Sequence, residues 1–204
     1  LFIECKLRVK HTTVSLWDDT AKLAKDENKV PVIALCEKNR PGFWIMVHSN
    51  DLVKIKKNLK IPLNLEIAPT IEMLNIAIIN KPNFVCLVPE KRKEITTEGG
   101  LNLNKNKKFL KKMILKLKRN KIRVSLFIEP QTYAVKSAFL LEADCVELHT
   151  GSFCNSFHKK NKRLTKSFYY KIKRCADYAK DFGLKVHAGH GLTFQSTRIL
   201  SKIK

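Results

Sequence analysis

From about residue 63 onward, short apolar runs alternate with longer stretches in which apolar residues return at helical spacing. The runs are Leu63-Asn64-Leu65-Glu66, Phe84-Val85-Cys86-Leu87-Val88-Pro89-Glu90, Val124-Ser125-Leu126-Phe127-Ile128-Glu129, Val146-Glu147-Leu148-His149-Thr150-Gly151 and Val186-His187-Ala188-Gly189-His190-Gly191-Leu192. Their β-branched content and flanking turn residues predict strands buried on both faces. Between them, Thr70 is placed to cap a helix that ends at Lys81-Pro82. Phe109, Leu110, Met113 and Leu117 predict a helix from about Lys107 to Arg119. A short helix is expected from about Thr132 to Leu141. The last runs from about Leu164 to Phe182, with Phe168, Ile172, Cys175, Ala176 and Ala179 on one side and Gly183 as its stop. Strands alternating with helices imply β/α units and a parallel sheet.

The first stretch has a different pattern. Leu1 to Leu7 reads as a strand and Trp17 to Lys25 as a helix. Val30 to Cys36 and Phe43 to His48 read as a hairpin joined through Asn39-Arg40-Pro41-Gly42. Adjacent antiparallel strands do not belong to a β/α barrel's repeat. The shift falls between Asn50 and Pro62. It divides the chain into an atypical β-α-β-β segment, residues 1–54, and a partial β/α barrel, residues 55–204.

Ionisable residues recur where the later strands end: Glu66, Glu90, Glu129, Glu147 with His149, then His187 and His190 between glycines. Such groups at the C-terminal ends of parallel strands read as an active site in a β/α barrel. Carboxylates and imidazoles in such places can take and give protons near neutral pH. Glycines on both sides of His190 indicate close approach by backbone or ligand. His187 and His149 read as packed supporting residues rather than direct participants.

Composition narrows the class. With 204 residues, 44% of them hydrophobic and 28% charged, the chain fits one globular domain. No apolar run approaches the ~18 residues of a membrane span, and nothing at the start resembles a signal peptide. A chain beginning at Leu1 rather than methionine reads as a fragment. Six scattered cysteines without a Cys-x-x-Cys pair favour a reduced, cytoplasmic setting over disulfides or zinc. The net charge of +22 would suit nucleic acid or other anionic partners. Its lysines are spread over predicted helices and loops without interleaved aromatics, however, which reads as solvated surface and biased composition.

The strand-end strings carry a family resemblance. Leu63-Asn64-Leu65-Glu66, Cys86-Leu87-Val88-Pro89-Glu90-Lys91-Arg92, Thr96-Thr97-Glu98-Gly99-Gly100-Leu101, Val124-Ser125-Leu126-Phe127-Ile128, Glu147-Leu148-His149-Thr150-Gly151 and Ala188-Gly189-His190-Gly191-Leu192-Thr193 stand in a fixed order and spacing. Together, over about Leu63 to Leu200, they resemble the pyridoxine 5′-phosphate synthase family of vitamin B6 biosynthesis. The resemblance implies a (β/α)8 TIM barrel and a homo-oligomer, with no cofactor or metal. It implies a transferase that condenses two phosphorylated substrates, 1-deoxy-D-xylulose 5-phosphate and 3-amino-2-oxopropyl phosphate, releasing phosphate and water. It further implies Glu66 as general acid/base, His190 as proton donor, Glu147 as transition-state stabiliser, and Thr96 and Gly191 as substrate contacts.

Parts of the family pattern are missing. The five β/α units correspond to the family's third through seventh strands. Its first strand, with an asparagine, an Asp-His pair and arginines, has no counterpart in residues 1–60. Its second carries a catalytic histidine followed two residues later by arginine. Here His48 is the candidate, with Asn50 in the arginine's place. Its eighth strand, with a phosphate-binding Gly-His pair, would follow Lys204. The barrel is therefore expected to be incomplete, lacking recognisable first and eighth strands.

Residues 1–54 also resemble, weakly, part of a PD-(D/E)xK resolvase-like nuclease core, through Ile3-Glu4-Cys5-Lys6, Val30 to Leu35 and Arg40-Pro41-Gly42-Phe43-Trp44. That resemblance implies Glu4 as a Mg²⁺ ligand and Lys6 at the attacked phosphate, without the upstream aspartate that would complete the metal site. The competing readings are thus a nucleic-acid-binding or nuclease-like protein and a barrel remnant without activity.

Overall fold

The structure is a computed structural model and describes residues 2–4, 13–35, 44–58, 60–89 and 99–203. They fall into two compact units, residues 1–60 and 61–204.

In the first unit, β1 (Phe2–Glu4) pairs in parallel with β2 (Pro31–Leu35) across the helix α1 (Thr13–Asp26). The strand β3 (Trp44–Met46) then runs antiparallel to β2, with Ile33 opposite Met46 and Leu35 opposite Trp44. The β-α-β-β order is the expected one. The helix starts earlier than the apolar pattern suggested. It packs on β2, and Ala24, Val32 and Ile33 are buried. Its buried Thr20 hydroxyl donates to the Leu16 carbonyl at 2.8 Å, so the polar group is satisfied within the helix. A short unforeseen helix, α2 (Leu52–Asn58), ends the unit.

The second unit alternates strands and helices: β4 (Asn64–Ile67), α3 (Ile71–Asn80), β5 (Phe84–Leu87), α4 (Lys107–Arg119), β6 (Arg123–Ile128), α5 (Thr132–Leu140), β7 (Cys145–His149), α6 (Gly151–His158), α7 (Lys162–Asp181), β8 (Lys185–Gly189) and α8 (Phe194–Leu200). The five strands form one parallel sheet in sequence order. Caps match the sequence signals. Thr70 Oγ1 accepts the Met73 N–H at 3.2 Å, and Lys81 leaves α3 in the left-handed conformation just before Pro82.

Side chains alternate across a strand, so every second residue faces the helices. On that face stand Ile67, Val85, Leu87, Val124, Leu126, Ile128, Val146 and Leu148, all nearly fully buried. They meet Leu110, Met113, Ile114 and Leu117 of α4, Val135 and Ala138 of α5, and Cys175 and Ala179 of α7 in one core. The opposite face carries Glu66, Cys86, Ser125, Phe127, Cys145, Glu147, His149 and His187. Burial on both faces, expected of all five strands, holds only for the middle of the sheet. Only Ile67 of β4 is buried, and no residue of β8 is. Both are edge strands among the described residues, with helices on one face only, so their polar-face residues meet solvent.

In this unit two helices escaped the sequence reading, α6 and α8. The four described cysteines, Cys86, Cys145, Cys154 and Cys175, are buried free thiols, as small apolar residues would be. Among the described residues no helix is long and apolar enough to cross a membrane.

Candidate active site

The polar face of the sheet opens into a cavity of about 430 Å³ lined by Glu66, Val88, Pro89, Gly99, Phe127, Glu147, His149 and His190. Alternation explains the cluster. Glu66 of β4 is in register with Cys86 of β5, and Phe127 of β6 with Glu147 of β7 and His187 of β8. All five therefore share one face.

Glu147 is the electrostatic centre. Burial pushes its carboxyl above the ordinary carboxylate range and the negative charge of Glu66 adds to this, while the Cys86 thiol and His187 oppose it. The Cys86 thiol donates to Glu147 Oε2 at 3.6 Å. Burial first, and then the Glu147 charge, push that thiol far above its usual value, so it stays a neutral donor. Deeper in, His149 Nδ1 lies 2.9 Å from Glu129 Oε1, within ion-pair distance. Apart from this contact, neither ring nitrogen has a hydrogen-bond partner among the described residues. The imidazole holds the Glu129 carboxyl below its ordinary range against the cost of burial, helped by the Gly100 N–H, which donates to Oε1 at 3.0 Å.

His190 sits on the turn that leaves β8. Its φ is 80° and that of Gly191 is 76°, two successive residues in the left-handed region. For histidine this backbone is strained, of order 1–3 kcal/mol, and must be held by its surroundings. Thr150 holds it. Its hydroxyl lies 2.8 Å from the Gly189 carbonyl and 2.6 Å from that of His190, and its N–H donates to Gly189 at 2.9 Å. Gly189 acts by contact rather than by φ: a Cβ there would overlap the Glu147 carboxylate and turn it aside.

Glu66, Glu147 and His190, three of the predicted site residues, thus meet at one cavity. Gly191 follows His190 on the turn, where a Cβ would stand 3.3 Å from Cys154 Cβ. Thr96 lies outside the described residues, as do Glu90 and Lys6, while Glu4 belongs to β1. His48 belongs to the first unit, where it is exposed and stacked on Trp17 with ring centroids 6.0 Å apart. Its Nδ1 accepts the Asn50 N–H at 3.2 Å. His187 is exposed beside Glu147 and does not line the cavity. His149 and Phe127 were undervalued by sequence reasoning, although both stand on the polar face of their strands, at Glu147 plus two and Glu129 minus two.

A larger hollow of about 700 Å³ lies among α6, α7 and α8, lined by Phe157, Tyr169, Tyr170, Ile199 and several lysines. It contains no carboxylate to take a proton, so chemistry rather than size assigns the site. Among the described residues, no group of three or more His, Cys, Asp or Glu is placed to hold a metal ion.

A family model for pyridoxal phosphate biosynthesis protein PdxJ matches residues 44–204. A pyridoxine 5′-phosphate synthase of Pelagibacter ubique (strain HTCC1062) is 52% identical over 158 residues, which are 78% of this chain and 65% of that protein. One from Hydrogenobaculum sp. (strain Y04AAS1) is 43% identical over 158 residues, 78% of this chain and 66% of that protein. One from Ehrlichia chaffeensis (strain ATCC CRL-10679 / Arkansas) is 46% identical over 157 residues, 77% of this chain and 63% of that protein. The chain spans just under two thirds of the length of these relatives. The matched stretch begins ahead of the expected Leu63 and takes in β3, His48 and α2. It contains every site residue that the synthase resemblance implied, and the chain belongs to the PdxJ family of pyridoxal phosphate biosynthesis proteins.

Proposed function

We propose that this chain carries the strand-end chemistry of a pyridoxine 5′-phosphate synthase, condensing 1-deoxy-D-xylulose 5-phosphate with 3-amino-2-oxopropyl phosphate. The observation that carries the reading is the convergence of Glu66, Glu147 and His190 on one cavity at the C-terminal side of a parallel sheet. Joining an amine to a ketone loses water through a carbinolamine. Ring closure and aromatisation then require further proton removals and a second dehydration, and phosphate leaves along the way. Each step needs a group that accepts a proton and one that returns it. Glu66 is the acid/base, exposed at the cavity where a substrate carbon or amine can reach it. His190 is the donor to the departing oxygen, held at the mouth by Thr150. Glu147, whose proton affinity is raised by burial, stabilises the cationic iminium form as it develops and can also hold a proton.

In the same reading the sheet is part of a (β/α)8 barrel whose other strands complete the phosphate sites. Thr96 and Gly191 then contact substrate. The enzyme works in the cytoplasm as a homo-oligomer, on phosphorylated small molecules and without cofactor. The test is an assay with both substrates, following the pyridine product by absorbance. The folded chain is expected to form product, with His190→Asn slower by roughly 10²- to 10⁴-fold. A folded chain that forms none, or a His190→Asn variant as fast as the parent, would contradict the reading.

A further inference from the structure

We propose that Glu129 and His149 form a positioning pair that sets the His190 imidazole, an inference that rests on the reading of the cavity as the catalytic site. His149 is 5% exposed, and apart from the Glu129 contact at Nδ1 its ring nitrogens have no hydrogen-bond partner among the described residues. A buried imidazole left in this state costs stability that an aliphatic or phenyl side chain of similar size would not. Core packing alone therefore does not account for it. What it touches does. On one side Glu129 Oε1 stands 2.9 Å from Nδ1, and on the other the His190 ring stands with its centroid 4.7 Å away, tilted 43°.

The neighbours are arranged around this contact. Phe127 packs its ring edge-on against His149 at 5.2 Å and lies 6.3 Å from His190. Gly151 clears the space between the two imidazoles: a Cβ there would lie 2.9 Å from His149 Cε1 and 3.2 Å from His190 Cδ2. Glu129 is itself fixed by the Gly100 N–H at 3.0 Å, and the next residue, Leu101, donates its N–H to Phe127 O at 2.7 Å. A line of contacts thus runs from the Gly99–Gly100 segment through Glu129 and His149 to His190. The backbone of His190 is pinned by Thr150, whereas its ring is exposed and is steadied by His149. The other charged groups that face the cluster are Glu66 and Glu147 in the cavity wall, His187 beside Glu147, and Lys171 near Glu129.

The experiment is imidazole NMR on the full chain labelled at histidine nitrogen, with His190 assigned through His190→Asn. His149→Asn and Glu129→Gln are compared with the parent, and kinetics with both substrates are run alongside. The expected result is a changed and broadened His190 imidazole signal in both variants, with core amide signals unmoved. Turnover should fall by roughly 10- to 100-fold, the scale of a misplaced catalytic group, with KM within about twofold. Glu129→Asp should recover part of the loss. Glu129→Gln leaves the packing volume intact and so carries the test if His149→Asn fails to fold. An unchanged His190 signal in Glu129→Gln, or a loss confined to KM, would overturn the proposal. A folded parent that turns over nothing would count against the functional reading, and the His190 signals would still decide the pair.

Discussion

His190, the proposed proton donor, has a backbone that histidine rarely adopts, φ 80°. The sequence hinted at this through the glycines at 189 and 191, but glycine alone did not say which residues would be left-handed. Of these two glycines only Gly191 is, while Gly189 leaves room for the Glu147 carboxylate. Asparagine tolerates this region better than other side chains, so His190→Asn is expected to leave the melting temperature within a few degrees while removing the proton donor. Glu147 yields a pH prediction. Its folded carboxyl binds protons more tightly than the unfolded one, first through burial and then through Glu66. In the window between those two pKa values the folded state holds more protons, so stability falls as pH rises through it. Glu147→Gln should therefore stabilise the chain against urea at pH 7 and make no difference below about pH 4, under the unfolded carboxylate's range. Equal effects at both pH values would show that the group is not strained by its charge. That Glu66 and Glu147 share a wall was readable from the period of two within each strand. Their mutual influence depends on the register between β4 and β7, which no local pattern records.

At the scale of elements, strands and long helices were legible because their apolar residues recur with a clean period. The helix α4 spans Lys107–Arg119 as its pattern predicted. Where tertiary context decides, legibility stopped. The helix α6 begins at Gly151 and reads Gly-Ser-Phe-Cys-Asn-Ser-Phe-His, a run of weak helix formers that forms in contact with α7. The helix α8 did carry a signal, the reciprocal cap between Thr193 and Ser196, hidden behind the glycine-rich turn. Strand burial was misjudged at β4 and β8 for a different reason. An apolar run shows that a strand belongs to a sheet, not whether its second face is covered. The two faces of β6 make a direct comparison. Leu126, fully buried among the helices, should cost roughly 2–5 kcal/mol when cut to alanine. Phe127 faces the cavity and is only partly buried, so Phe127→Leu should cost less stability and more activity. Urea denaturation and the product assay separate the two. If both substitutions cost stability alike, the division into a structural face and a chemical face is wrong.

For the molecule as a whole, composition said least about function. A net charge of +22 invites a nucleic-acid partner, and lysines do gather around the hollow among α6, α7 and α8, yet the groups suited to proton transfer gather at the strand ends, as acids and imidazoles. Binding of duplex DNA is expected to be weak and indifferent to sequence, and lost as salt rises from 50 to 200 mM on the order of magnitude of a few charge contacts. Fluorescence anisotropy with two unrelated duplexes checks this. Sequence-dependent binding that survives the higher salt would instead support a dedicated nucleic-acid surface. The compact units divide at residue 60 while the family match begins at residue 44, so family membership and compactness do not share a boundary. A change of pattern marks where packing changes, and that need not be where ancestry does. The central claim is that the cavity of Glu66, Glu147 and His190 receives the sugar phosphate. Isothermal titration of the folded chain with 1-deoxy-D-xylulose 5-phosphate, repeated on Glu66→Gln and His190→Asn, tests it most directly. Saturable binding by the parent that either substitution weakens is the predicted result. No binding, or binding that both substitutions leave unchanged, would contradict it.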